Sequence, residues 1–185
     1  MSFTPCLLLL TVSNAADPVA DAVVDAVADA VALEEKGMTT LAVWGGANVL
    51  VGATGWALSD DARSEAFHTM NAGWGAINLG LAMTGLATTR RAMSPTARKE
   101  RWLRLPSIFA FNAGLDVAYI SAGAWLWRTG AESGDLTREG WGQSVVLQGS
   151  ALMIFDLVMA REFNDSNRRI WLSSGPSGST INGVF

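Results

Sequence analysis

The stretch Phe67–Thr88, FHTMNAGWGAINLGLAMTGLAT, contains no Asp, Glu, Lys or Arg. At about 1.5 Å per residue a helix of this length crosses the roughly 30 Å hydrocarbon core of a bilayer. It is not uniformly apolar, because Leu, Ile, Met and Trp alternate with small residues and two asparagines. Ala72, Ala76, Gly80, Thr84 and Thr88 recur every four residues and form a face that a second helix can approach closely. Asn71, Gly75, Asn78, Ala82 and Gly85 form a second stripe. Asparagines carried into lipid must turn toward other helices, so the segment demands helical partners.

Three further stretches are similarly poor in charge. The expected spans are about 38–58, 67–88, 106–127 and 141–161, which predicts an all-α, four-span transmembrane helical bundle over 38–162. The average composition hides this: half the residues are hydrophobic, yet mean hydropathy is only +0.26. Charges are gathered into short segments, and a windowed reading outranks the average.

In the first span Gly45, Asn48, Gly52 and Gly55 fall at i, i+3, i+7 and i+10, a narrow polar and small stripe suited to helix packing. In the third, Ala110, Gly114, Ala118 and Ala122 repeat the small-every-four pattern, and Asn112, Asp116, Tyr119 and Gly123 form the polar stripe. Trp125 and Trp127 fit an aromatic belt. The fourth places Gln148 and Asp156 two turns apart on one face. The helix-packing residues expected are therefore Gly45, Gly52, Ala72, Ala76, Gly80, Ala110, Gly114 and Ala118.

The flanks carry the topological signal. Residues 1–37 combine a signal-like segment with an acidic arm. The first part, 1–16, has a short apolar core but no basic n-region, and an ordinary frayed N-terminus competes with that reading. Residues 17–35 repeat DPVA, DAVV, DAVA, DAVA, which reads as a marginal acidic amphipathic helix or a flexible arm. Residues 90–104 read as a loop holding Arg90, Arg91, Arg98, Lys99, Arg101 and Arg104 against Glu100 alone. Such a loop marks the cytoplasmic side and suits anionic lipid headgroups, with Trp102 as an interfacial anchor. Arg161, Arg168 and Arg169 follow the last span, placing both termini on the same cytoplasmic side. The segment 163–185 reads as a flexible tail, and its Gly/Ser-rich part from Ser173 as disordered.

The two hairpins align as a candidate parallel repeat about an axis along the membrane normal. ANVLVGATG (47–55) falls on LDVAYISAG (115–123), and NAGWGAINLGLA (71–82) on GSALMIFDLVMA (149–160). The alignment selects one polar residue per span: Asn48, Asn78, Asp116 and Asp156.

A candidate intramembrane polar site follows, comprising Asn48, Asn71, Asn78, Asn112, Asp116, Tyr119, Gln148 and Asp156. Asp116 is the sharpest member, since a carboxylate at mid-span costs about 2.5–3.5 kcal/mol on insertion scales. It serves either as a proton or cation site or as polar glue that fixes helix register. His68 is a weak candidate cofactor ligand at the edge of the second span.

Other chemistries are excluded or unsupported. One cysteine rules out an internal disulfide, and one histidine a bis-His haem. A net charge of −4 leaves no broad basic surface for nucleic acid. No phosphate loop, catalytic triad or zinc-protease motif is present, and no metal or cofactor is expected.

The runs Phe67–Asn78, Phe111–Tyr119 and Gln148-Gly149 to Phe155-Asp156 resemble a family of short bacterial four-helix integral membrane proteins of unknown function. The resemblance covers about 38–162. It implies a bacterial inner-membrane location and no activity. The expected function is a non-enzymatic membrane protein packing through small-residue faces with itself or a larger complex. The alternative is a small transporter or proton/cation pathway using Asp116 and Asp156.

Overall fold

A computed structural model describes residues 18–173. The signal-like segment 1–16 and the tail beyond Ser173 lie outside the described residues. Four helices follow one another, α1 (Pro18–Ala57), α2 (Ala62–Thr89), α3 (Pro95–Ser133) and α4 (Leu136–Ser173). The protein is an all-α four-helix bundle.

The helix ends are written in the sequence. Asp61 caps α2, its Oδ1 accepting from the backbone N–H of Arg63 and Ser64 at 3.0 and 3.1 Å. Ser94 caps α3, with Pro95 following in its first turn. Gly134 ends α3 in the left-handed conformation at φ 72°, where a side chain would be strained. Asp135 Oδ1 then accepts from Arg138 N at 3.0 Å to start α4.

Each helix outruns the span expected of it. Of the two readings of the acidic arm, helix or flexible arm, the described part is helical, within an α1 that runs 40 residues from Pro18. The basic segment 90–104 is a loop only as far as Ser94 and is helical from Pro95. The tail drawn from 163 begins as helix, since α4 continues to Ser173. α3 passes straight through Pro106. A proline has no N–H for the carbonyl four residues back, here that of Trp102. Asn167 of α4 replaces the lost donor, its Nδ2 lying 3.3 Å from Trp102 O.

The helices pair as two hairpins. α1 packs along α2 and α3 along α4, while α4 also meets α2 and α1. α3 makes no extended seam with α1 or α2 among the described residues. Close approach within each hairpin rests on glycine. A Cβ on Gly45 would fall 2.7 Å from Gly75 O, and one on Gly75 would fall 2.7 Å from Gly45 O. In the second hairpin a Cβ on Gly123 would fall 2.9 Å from Val146 N.

α2 stops at Thr89, where the other three continue as a stalk. There Ala30, Trp102, Leu105, Phe109, Met159 and Phe163 form the hydrophobic core. Trp102 is buried rather than interfacial, with the Arg98 guanidinium 5.7 Å over its ring. The buried Glu34 carboxylate pairs with Arg101 across α1 and α3.

Beyond the stalk the polarity inverts. The interior holds Asn48, Asn71, Asn78, Asp116, Ser144, Gln148 and Asp156. The outer surface presents Leu50 (71 % exposed), Phe111 (68 %), Trp125 (63 %) and Ile154 (62 %), among many others. Two helical segments, Ala97–Ser133 and Leu136–Arg169, are long and apolar enough to cross a membrane. Hydropathy therefore supports two spans rather than the four expected. The apolar stretches of α1 and α2 carry Gly, Thr and Asn, which pull down the mean hydropathy of any window across them.

Candidate functional site

The two stripes read on α2 separate cleanly. Asn71, Gly75, Asn78 and Ala82 are buried, whereas Ala76, Gly80 and Thr84 are exposed. On α3, Asp116 and Gly123 are buried, and Ala110, Gly114, Ala118 and Ala122 face outward. Of the expected packing residues, Gly45, Gly52 and Ala72 lie at the α1–α2 crossing. Nothing lies within 4 Å of a Cβ added to Gly80 or Gly114.

The interior polar residues form two layers of different character. The first is centred on Gln148 of α4. Its Nε2 donates to Asn48 Oδ1 at 2.6 Å and to Asn71 Oδ1 at 2.9 Å. Its Oε1 accepts from Trp44 Nε1 at 3.1 Å. Ser144 Oγ donates to Asn71 Oδ1 at 2.8 Å, and Asn48 Nδ2 donates to Trp44 O at 2.8 Å. These bonds bind α1, α2 and α4 together. The sequence reading missed Trp44 and Ser144. Ser144 stands one turn before Gln148 on the same face, a signal that spacing alone carries.

The second layer lies about two turns along α4, at Asp156. Asn78, Asn112, Asp116, Tyr119 and Asp156 line a cleft of about 330 Å³ in which all four helices take part. Its exposed lining residues Ile77, Leu81, Leu115 and Tyr119 stand on α2 and α3, which places its opening between these helices. Trp74 and Tyr119 meet edge to face across this opening, ring centroids 5.3 Å apart. Asp116 of α3 and Asp156 of α4 both line this cleft.

This layer leaves polar atoms unmatched. Asn78 Nδ2 and Asp116 Oδ2 are buried without a hydrogen-bond partner, in residues only 2 % and 3 % exposed. A buried polar group left in this condition costs about 1–3 kcal/mol. No Lys or Arg lines the cleft. The arrangement can accept hydrogen bonds from a cation and hold or pass a proton. It offers neither an activated nucleophile nor an oxyanion site.

The structure thus divides the predicted site. Asn48, Asn71 and Gln148 close a satisfied network, and Asn78, Asn112, Asp116, Tyr119 and Asp156 gather on the cleft. His68 stands apart from both, its ring packed against Gly55 and edge-on to Phe67 at 5.3 Å. Among the described residues no group of three His, Cys, Asp or Glu side chains is placed to hold a metal.

Comparison with known proteins places this bundle within one described group. No curated protein and no solved structure matches the chain. A family model described as a family of unknown function, DUF6992, matches residues 40–157, which include both polar layers and leave out most of the stalk. With well over half of its length matched, the chain belongs to that family.

Proposed function

We propose that the protein is a non-enzymatic integral membrane protein whose working element is the second polar layer, a proton or cation site in a small transporter. The observation that carries this reading is the pair of unmatched atoms, Asn78 Nδ2 and Asp116 Oδ2, on one cleft with Asp156. The Gln148 layer, by contrast, pairs its polar groups among its own members.

The membrane setting draws support from the inverted polarity. In water, so many exposed Leu, Ile, Val, Phe and Trp side chains around a polar interior would aggregate. In lipid the same arrangement is stable. All four helices would cross, with the stalk on the cytoplasmic face of a bacterial inner membrane. Arg90 and Arg101 are engaged by Glu35 and Glu34, and Arg98 by Trp102. Arg91, Lys99 and Arg104 would meet anionic headgroups.

Proteoliposomes test the transport reading. Wild type should carry a proton or monovalent-cation flux that Asp116→Asn abolishes. Flux no greater than that of empty liposomes would remove the reading.

A second reading rests on the outward small-residue faces of α2 and α3. Open space beyond Gly80 and Gly114 fits packing against another copy or a larger membrane complex. A stable oligomer in mild detergent that Gly80→Leu disrupts would support it, and an unchanged monomer would oppose it.

A further inference from the structure

We propose that the cleft takes a lipophilic organic cation, with an ammonium N–H bound by Asp116 and a nearby ligand oxygen bound by Asn78. This deepens the transport reading and rests on it. Asp116 Oδ2 is a buried acceptor without a donor, and Asn78 Nδ2 is a buried donor without an acceptor. One ligand carrying both an ammonium and a hydroxyl or carbonyl oxygen completes both.

The remaining lining fits the same chemistry. The titratable groups on the cleft are Asp116 and Tyr119 of α3 and Asp156 of α4, while α1 and α2 contribute none. No protein cation competes for the carboxyl groups. Trp74 and Tyr119 supply aromatic surface for a cation, and Phe109, Phe155, Leu81 and Leu115 an apolar bed for its body. The opening between α2 and α3 faces the surface that bears Ile77, Leu81 and Phe111, so entry is from the lipid.

Charge complementarity follows from the lining: Asp116 and Asp156 both stand on the cleft and no Lys or Arg does, so a bound ammonium meets carboxyl groups that no protein cation engages there.

Propranolol, an aromatic amino alcohol, is a suitable probe for protein in nanodiscs. Calorimetry should show saturable binding above empty nanodiscs. Asp116→Asn should weaken binding about tenfold or more, the order expected when one partner of a buried charged contact is removed. Asp116→Glu should retain it. Asn78→Leu should weaken propranolol but leave tetraphenylphosphonium, which has neither N–H nor oxygen, unchanged. Equal binding of neutral 1-naphthol and propranolol would overturn the proposal, as would unchanged affinity in folded Asp116→Asn or no saturable binding by wild type. Proton or alkali-cation flux in proteoliposomes without propranolol binding would reject the organic cation and leave the transport reading standing. Loss of both would reject both.

Discussion

Gly45 and Gly75 occupy each other's missing side chain: a Cβ on either would stand 2.7 Å from the carbonyl oxygen of the other. The obstruction is backbone on both sides, so neither helix can yield by turning a side chain. Gly75→Ala should therefore destabilise the protein by about 1–3 kcal/mol through overpacking. The expected result is a lower thermal midpoint in detergent, whereas Gly73→Ala, with open space around it, should leave the midpoint unchanged.

The two polar layers should respond oppositely to apolar substitution. Gln148→Leu strands Trp44 Nε1 and removes the donor of Asn48 Oδ1, while Asn71 Oδ1 keeps Ser144 Oγ, at about 1–3 kcal/mol for each buried group left unmatched. Asn78→Leu removes an unpartnered amide and should be neutral or raise stability by about 1 kcal/mol. Thermal denaturation of both variants in one detergent decides the comparison.

The stalk should depend on its buried ion pair. Glu34→Ala leaves Arg101 without its carboxylate in a largely buried setting, a loss of about 3 kcal/mol before the partial exposure of Arg101 reduces it. A double-mutant cycle with Arg101→Ala should show a coupling energy of about 1 kcal/mol or more. Arg90 and Glu35, both well exposed, should show almost none.

Sidedness can be read with thiol reagents in a Cys6→Ser background. Cysteines at Ser59 and Ala92 lie in connections at opposite ends of the bundle. A membrane-impermeant reagent applied to intact cells should label the first and spare the second. Labelling of both, or the reverse pattern, would contradict the four-span arrangement with a cytoplasmic stalk.

Much of the interior was legible because helical spacing and polarity agree. On α2, Asn71, Gly75, Asn78 and Ala82 are buried, whereas Ala76, Gly80 and Thr84 of the stripe expected to seat a second helix are exposed and Ala72 of it meets α1. Alignment of the two hairpins singled out Asn48, Asn78, Asp116 and Asp156; the last three share one cleft, and Asn48 lies in the Gln148 layer. The stalk was not legible. Its sequence alternates charge with Val and Ala on α1 and carries basic residues on α3, patterns that also suit an arm and a loop. Contacts between helices, Glu34–Arg101, Asn167–Trp102 and the apolar cluster around Phe163, pack those segments together. Span count was obscured for a related reason. Glycine and asparagine in α1 and α2 lower hydropathy while serving close packing and internal hydrogen bonds, functions that a per-residue scale does not weigh.

The position of the cleft between its neighbours has a further consequence. Toward the end that carries Asp61 and Asp135, the amide layer at Gln148 closes the interior. Toward the stalk, Phe109 stacks on Phe163 at 5.8 Å and meets Phe155 edge-on at 6.0 Å. An amide layer and an aromatic cluster thus bound the cleft along the bundle. On the transport reading proposed above, a species that enters from the side and leaves into water would pass one of these two stoppers. The first is held by five directional bonds and the second by ring packing. On that reading the expected exit is on the stalk side.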